Sequence, residues 1–214
     1  MRHLGAIFSE FRDDESGNAA IELLLCLPIL VWALLSTIVY FDAYHDEAIS
    51  TRAGLTIADM FSREDAPVDS DYMNGAHALL TSLTGVTDRT STEDTYEGSK
   101  LRVTVYEYVQ ANDVFRVIWS ENIGFGVNYT DANLANLRSA LPDIADGDTA
   151  ILVETTTTYN APFAVSISPF IVPNLDGVEF KTFTVISPRF AESICWDRAG
   201  DDDLCRLSNV TPAT

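Results

Sequence analysis

Hydrophobic positions along this chain change their spacing from segment to segment. Across residues 23–41 no side chain is charged, and only Pro28, Ser36 and Thr37 interrupt the apolar run. At 1.5 Å per residue the run makes a helix of about 28 Å, close to the thickness of bilayer hydrocarbon. Over 46–62 apolar residues return at helical spacing, at Ile49, Ala53, Ile57, Met60 and Phe61. Glu47, Ser50 and Asp59 fall off that stripe, so the helix is expected to continue beyond the membrane with one face buried. Gly54 reads there as a mild defect, costing about 0.5–1 kcal/mol relative to Ala. The acidic stretch 65–71, with Pro67, ends the pattern. A second helix is expected over 72–83, stopped by Gly85, and the polar stretch 86–99 reads as an exposed loop.

The period then becomes two. Leu101, Val103, Val105 and Val109 alternate with Arg102, Thr104, Tyr106 and Tyr108, the pattern of a half-buried strand. After a turn at 110–113, residues 114–120 supply its hairpin partner. Residues 131–141 suggest a helix with Asp131 as N-cap and Pro142 as stop. The stretches 149–159 and 177–187 read as further strands, and the threonines at 155–158 as the exposed end of theirs. Of Tyr106, Tyr108, Phe115, Trp119, Phe125 and Tyr129, most are expected in the core or on a sheet face and some against partner subunits. The fold class that follows is α+β: a long N-terminal transmembrane helix entering a head whose small, mainly antiparallel sheet packs on helices. There are no internal repeats or low-complexity linkers, so the part beyond the membrane reads as one domain.

Charge changes this picture by dividing it. Thirteen Lys and Arg stand against 32 Asp and Glu, for a net charge of −19, yet 47% of the residues are hydrophobic and the mean hydropathy is +0.07. Residues 45–214 hold 26 of the acids and 11 of the bases. Such a surface does not neutralise phosphates, which argues against nucleic acid, and it does not cling to anionic headgroups. The apolar fraction excludes disorder as the dominant state. A cleaved secretory signal is a rival reading of 23–41. The run exceeds the usual 7–15 residues, and Tyr40-Phe41-Asp42-Ala43-Tyr44-His45 is a poor cleavage site, so the segment is expected to stay as an anchor. Arg2 and Arg12 weakly favour an inside N-terminus, since Arg52 and Arg63 follow on the other side. Cys195 and Cys205 enclose nine residues. Their pairing as a disulfide would place the head in an oxidising compartment. A zinc site competes, but His3, His45 and His77 are distant in sequence. Cys26 lies in the apolar run without an obvious partner.

Motifs for catalysis are weak. Asp143, Asp146 and Asp148, and Asp197 with the aspartates at 201–203, offer oxygen ligands without EF-hand spacing. Gly124-Phe125-Gly126 lacks the setting of a nucleotide loop. No nucleophile elbow occurs, and His77 is the only histidine of the head away from the membrane. Asn128-Tyr-Thr and Asn209-Val-Thr match a glycosylation pattern that matters only in a suitable host. No enzymatic activity, metal or cofactor is expected.

One carboxylate stands apart. Glu22 opens the apolar run, where an ionised group is costly unless it lies in the headgroup layer or meets a positive partner. Gly17-Asn18-Ala19-Ala20-Ile21-Glu22 before an apolar helix resembles the processing site of type IV pilin-like proteins. Glu22 followed by Pro28 at a Glu-x5-Pro spacing is similar to the TadE-like family of the tight-adherence (Flp/Tad) pilus. A shorter match is the strand 153–159 ending in Tyr159 before Pro162. Leu23 stands where that family often has Phe or Tyr, and Asn18 where a smaller or apolar residue is commoner. The resemblance implies a non-enzymatic pseudopilin or minor pilin with a pilin-like head. It implies cleavage between Gly17 and Asn18 by a prepilin peptidase, and Glu22 pairing with a neighbour's new amino group. Implied partners are other pilus subunits, inner-membrane assembly proteins and the membrane itself. The organisation expected is a cytoplasmic leader at 1–17, a transmembrane helix at 18–44, its extension at 45–62, and a periplasmic head at 63–214. Pro28 removes the hydrogen bond to the Leu24 carbonyl, a loss that neighbouring helices would offset. The competing expectation is an unprocessed, membrane-anchored periplasmic sensor or ligand-binding protein.

Overall fold

Residues 18–86, 98–163 and 175–197 are described in the structure, a computed structural model, with side chains from Ile21 onward. The chain divides into two compact units, Met1–Ala43 with Ala161–Leu175, and Tyr44–Asn160 with Asp176–Thr214. Helix α1, Asn18–Ser62, begins in the first unit and supplies the first element of the second. In the first unit almost every large apolar side chain of the helix from Ile21 to Phe41 is exposed. Ser36, Val39 and Ala43, spaced to share one face, are the buried exceptions.

The second unit continues with helix α2 (Ser70–Thr84), strands β1 (Lys100–Val109) and β2 (Val114–Ile123), helix α3 (Asp131–Asn136), and strands β3 (Thr149–Thr158) and β4 (Glu179–Ile186). The strands form one antiparallel sheet in the order β2-β1-β3-β4. The β1–β2 hairpin forms where alternation placed it. Gln110–Asn112 makes a single 3-10 turn, and Asp113, at φ 51°, closes it in the left-handed region that Asp tolerates better than most residues. A register shift between Val105 and Tyr106 then accommodates the pairing with β2.

Both faces of the sheet are covered, and this overturns several sequence expectations. On one face Val103, Val105, Trp119, Ile151 and Val153 pack with Ile57 and Phe61 of α1 and Met73, Ala76 and Leu80 of α2. On the other, Tyr106, Phe115, Ala150 and Leu152 pack with Leu134 and Leu141 around α3. Strand β1 is therefore buried along both faces rather than half-buried, including Arg102, Thr104 and Tyr106. Thr155, Thr156 and Thr157 are buried too, not exposed. Ser50 is buried rather than off the stripe, because its hydroxyl meets that of Thr157 at 2.7 Å. Gly54 is no defect. A Cβ there would come within 2.5 Å of Thr182 Oγ1, so the glycine is what lets the helix approach the sheet.

Two more corrections concern ends. Asp131 is the first residue of α3, not its cap. Its carboxylate accepts from the Val117 N–H at 2.8 Å, while Thr130 precedes the helix and its N–H donates to Asn133 Oδ1 at 2.9 Å. The helix stops at Asn136, well before Pro142. Bonds of i→i+3 type, such as Leu137 N–H to the Leu134 carbonyl, tighten the chain instead. Of the expected loop at 86–99, residues 87–97 lie outside the described residues. Ser99 is buried, its carbonyl 2.6 Å from His77 Nε2.

Candidate membrane and assembly helix

A continuous helix is what this sequence must form if it enters lipid, because only internal hydrogen bonds satisfy the backbone there. Within α1, the stretch from Ile21 is long and apolar enough to cross a membrane. Its apolar side chains are mostly exposed. That exposure separates it from a core helix of similar composition, which hides its apolar residues. Around the whole circumference, Leu24, Leu25, Ile29, Leu30, Leu34 and Phe41 face outward.

Asn18 is the first residue of α1. Glu22 lies in its second turn, exposed, and among the described residues no hydrogen bond or ion pair reaches its carboxylate. Pro28 stands inside the helix, about three turns from the start. Cys26 is an exposed free thiol on the same apolar stretch. Thr37 does not present a bare hydroxyl there, since it donates to the Ala33 carbonyl at 2.8 Å. Glu22, Cys26 and Pro28 thus share the exposed helix. The cleavage junction at Gly17 and the Cys205 half of the Cys195–Cys205 pairing lie outside the described residues. Cys195 itself joins a backbone bridge. Its carbonyl accepts from the Val68 N–H at 2.8 Å, and the Asp197 N–H donates to the Val68 carbonyl at 2.8 Å.

The other candidate groups separate into distinct places. Asp143, Asp146 and Asp148 line a cavity of about 720 Å³ with Thr149 and Glu192. Asp143 pairs with Arg138 at 3.1 Å, and Asp146 accepts from the Gln110 N–H at 2.8 Å. Among the described residues no group of three or more His, Cys, Asp or Glu is placed to hold a metal ion. Asp201 to Asp203 and Asn209 lie outside the described residues. Asn128 donates to Glu121 Oε2 at 3.3 Å beside Gly124 and Gly126, which turn the chain after β2 at positive φ.

A polar centre that sequence reasoning missed sits across the middle of the sheet. Arg102 Nε meets Glu154 Oε2 at 2.7 Å, with both side chains largely buried. The guanidinium lies 3.6 Å from the Tyr129 ring centroid and 4.4 Å from that of Phe125. Tyr129 donates to the other Glu154 oxygen at 3.0 Å. Burial, then the Glu154 carboxylate, pushes the Tyr129 phenol up. Every charge here is answered within the cluster, so the arrangement fixes β1 to β3 and positions the 124–129 loop. The one signal in the sequence was a base within the alternation of β1 and the lone charged residue, Glu154, of β3.

No protein-family model matches the chain, and no curated protein or solved structure is significantly similar to it.

Proposed function

We propose that this chain is a pilus assembly subunit, a pseudopilin or minor pilin of the TadE-like kind, that works through its N-terminal helix. The observation that carries the reading is the exposed apolar stretch of α1 with Glu22 at its start, joined to an α+β head. An ionised carboxylate carried to the centre of a membrane helix costs roughly 2.5–3.5 kcal/mol, and less near the interface. A positive partner on a neighbouring helix offsets that cost, and the amino group of Asn18, freed by cleavage after Gly17, supplies one. Pro28 fits a helix that packs among others, since neighbouring groups then satisfy the Leu24 carbonyl that proline leaves unpaired. In this reading a prepilin peptidase removes the leader, and the head lies in the periplasm with the helix in the inner membrane. The partners are other pilus subunits and inner-membrane assembly proteins. The head acts by binding rather than catalysis.

Two measurements test the reading. Intact-mass analysis of the membrane-extracted protein should give a mature chain starting at Asn18; any other start removes the processing step. Glu22→Ala should leave the membrane level of the protein unchanged while abolishing its co-purification with pilus subunits. Unchanged association in Glu22→Ala would favour an unprocessed, membrane-anchored sensor instead.

A further inference from the structure

The threonine run of β3 has no role in the helix-mediated assembly step, and it lies under helix α1. Along β3 the side chains on the helix-covered face change from Ile151 and Val153 to Thr155 and Thr157. On β4 the residues paired with Ile151 and Thr155 are Ile186 and Thr182, so the same change runs across two strands. Helix α1 changes in step. Its buried residues are Ser50, Ala53 and Gly54 opposite the threonines, then Ile57, Ala58 and Phe61 further along.

The contacts follow this division. Ser50 Oγ and Thr157 Oγ1 are 2.7 Å apart, and Thr155 Oγ1 and Thr182 Oγ1 are 2.6 Å apart. Gly54 sits over the second pair, where an added Cβ would lie 2.5 Å from Thr182 Oγ1 and 3.3 Å from Thr155 Oγ1. Burial of Ile57 and Phe61 stabilises in proportion to apolar area removed from water. A hydroxyl pair gains little net free energy, because each hydroxyl bonds water equally well once the seam opens. Small side chains at 50, 53 and 54 also bury little apolar surface. The two halves of one interface therefore differ in what holds them.

We propose that this seam is a two-part device. Residues 57–61 form an apolar clamp that stays closed. Residues 50–54 form a hydroxyl latch against Thr155, Thr157 and Thr182 that opens to water while the clamp holds. Opening frees residues 44–54 of α1 to change direction relative to the sheet without unfolding the head. The device is a property of this chain alone and does not rest on the assembly reading.

The test uses the full chain in detergent micelles, with one added cysteine at a time. Ser50→Cys and Ser62→Cys place the same thiol at two positions of α1 that are 1% and 0% exposed, so a rigid molecule shields both equally. Maleimide labelling, resolved by peptide mass, is expected to be at least about tenfold faster at 50 than at 62, as local opening requires. Rates that agree within about twofold, or a faster rate at 62, overturn the latch. Thr157→Cys reports the same opening from the sheet and should label with Ser50→Cys; protection at both overturns it. Combined with each cysteine, Gly54→Ala should raise the rate at 50 and leave that at 62 unchanged. An equal rise at both positions means general unfolding and also overturns the proposal. Because labelling needs no partner, failure of the latch is distinct from failure of pilus assembly.

Discussion

Tyr106 shows how far one side chain departs from what its position in the sequence implies. By alternation it belongs on the outer face of β1, yet it is fully buried, stacked edge-on against Phe115 at 5.2 Å. Among the described residues its hydroxyl finds no hydrogen-bond partner, and burial pushes the phenol up from 10.0 to about 12. A raised phenol pKa means the folded state keeps its proton where the unfolded chain releases it. The stability so contributed is complete below pH 10.0 and lost as pH rises toward about 12. Tyr106→Phe removes both the titration and the orphaned hydroxyl. It should raise stability at neutral pH by about 1 kcal/mol and make the loss between pH 10.0 and 12 shallower, as read by chemical denaturation across that range. Arg102 was equally invisible as a buried residue, because whether a strand charge meets solvent depends on what covers its face. Gly54 reversed its meaning for the same reason: helix propensity counted it as a weakness, and the proximity of Thr182 makes it a fitted position.

Among the elements, those defined by local signals were legible. Helix α2 is the clearest. Asp69 Oδ1 accepts from the Tyr72 N–H at 2.8 Å, and Gly85, at φ 68°, donates to the Thr81 carbonyl and ends the helix. Asp69→Ala should lower head stability by about 1 kcal/mol without moving the β-sheet signal in circular dichroism below the melt. The hairpin of β1 and β2 was legible because its turn and its alternation agree. Helix α3 was legible in place but not in length: apolar Leu137 and Leu141 continue the helical period, but they reach the core through tightened turns beyond Asn136. The threonine strand was misread at its exposure, since β-propensity carries no information about which helix lies above it.

For the whole molecule, the uneven distribution of charge and apolar residues translates into two units of different solvent preference. The first presents an apolar helix outward, and the second encloses two cores on the faces of one sheet. A chain beginning at Tyr44 should therefore stay in the aqueous phase when detergent separates on warming, whereas the full chain enters the detergent phase. Recovery of the shortened chain in the detergent phase would mean that the head, and not the helix, carries the membrane affinity. The excess of 26 acids over 11 bases in residues 45–214 supports solubility of the head and opposes its collapse onto anionic surfaces.

The sequence by itself determined the long apolar N-terminal helix, the antiparallel hairpin, the second helix with its stop at Gly85 and the α+β class. Each rests on periodicity or on a cap that neighbouring residues define. Only the tertiary structure decided the second covered face of the sheet, the Arg102–Glu154 centre, the burial of Thr155 to Thr157 and the fit of Gly54 against Thr182. These are contacts between residues far apart in the chain, and local sequence pattern does not report which surfaces meet.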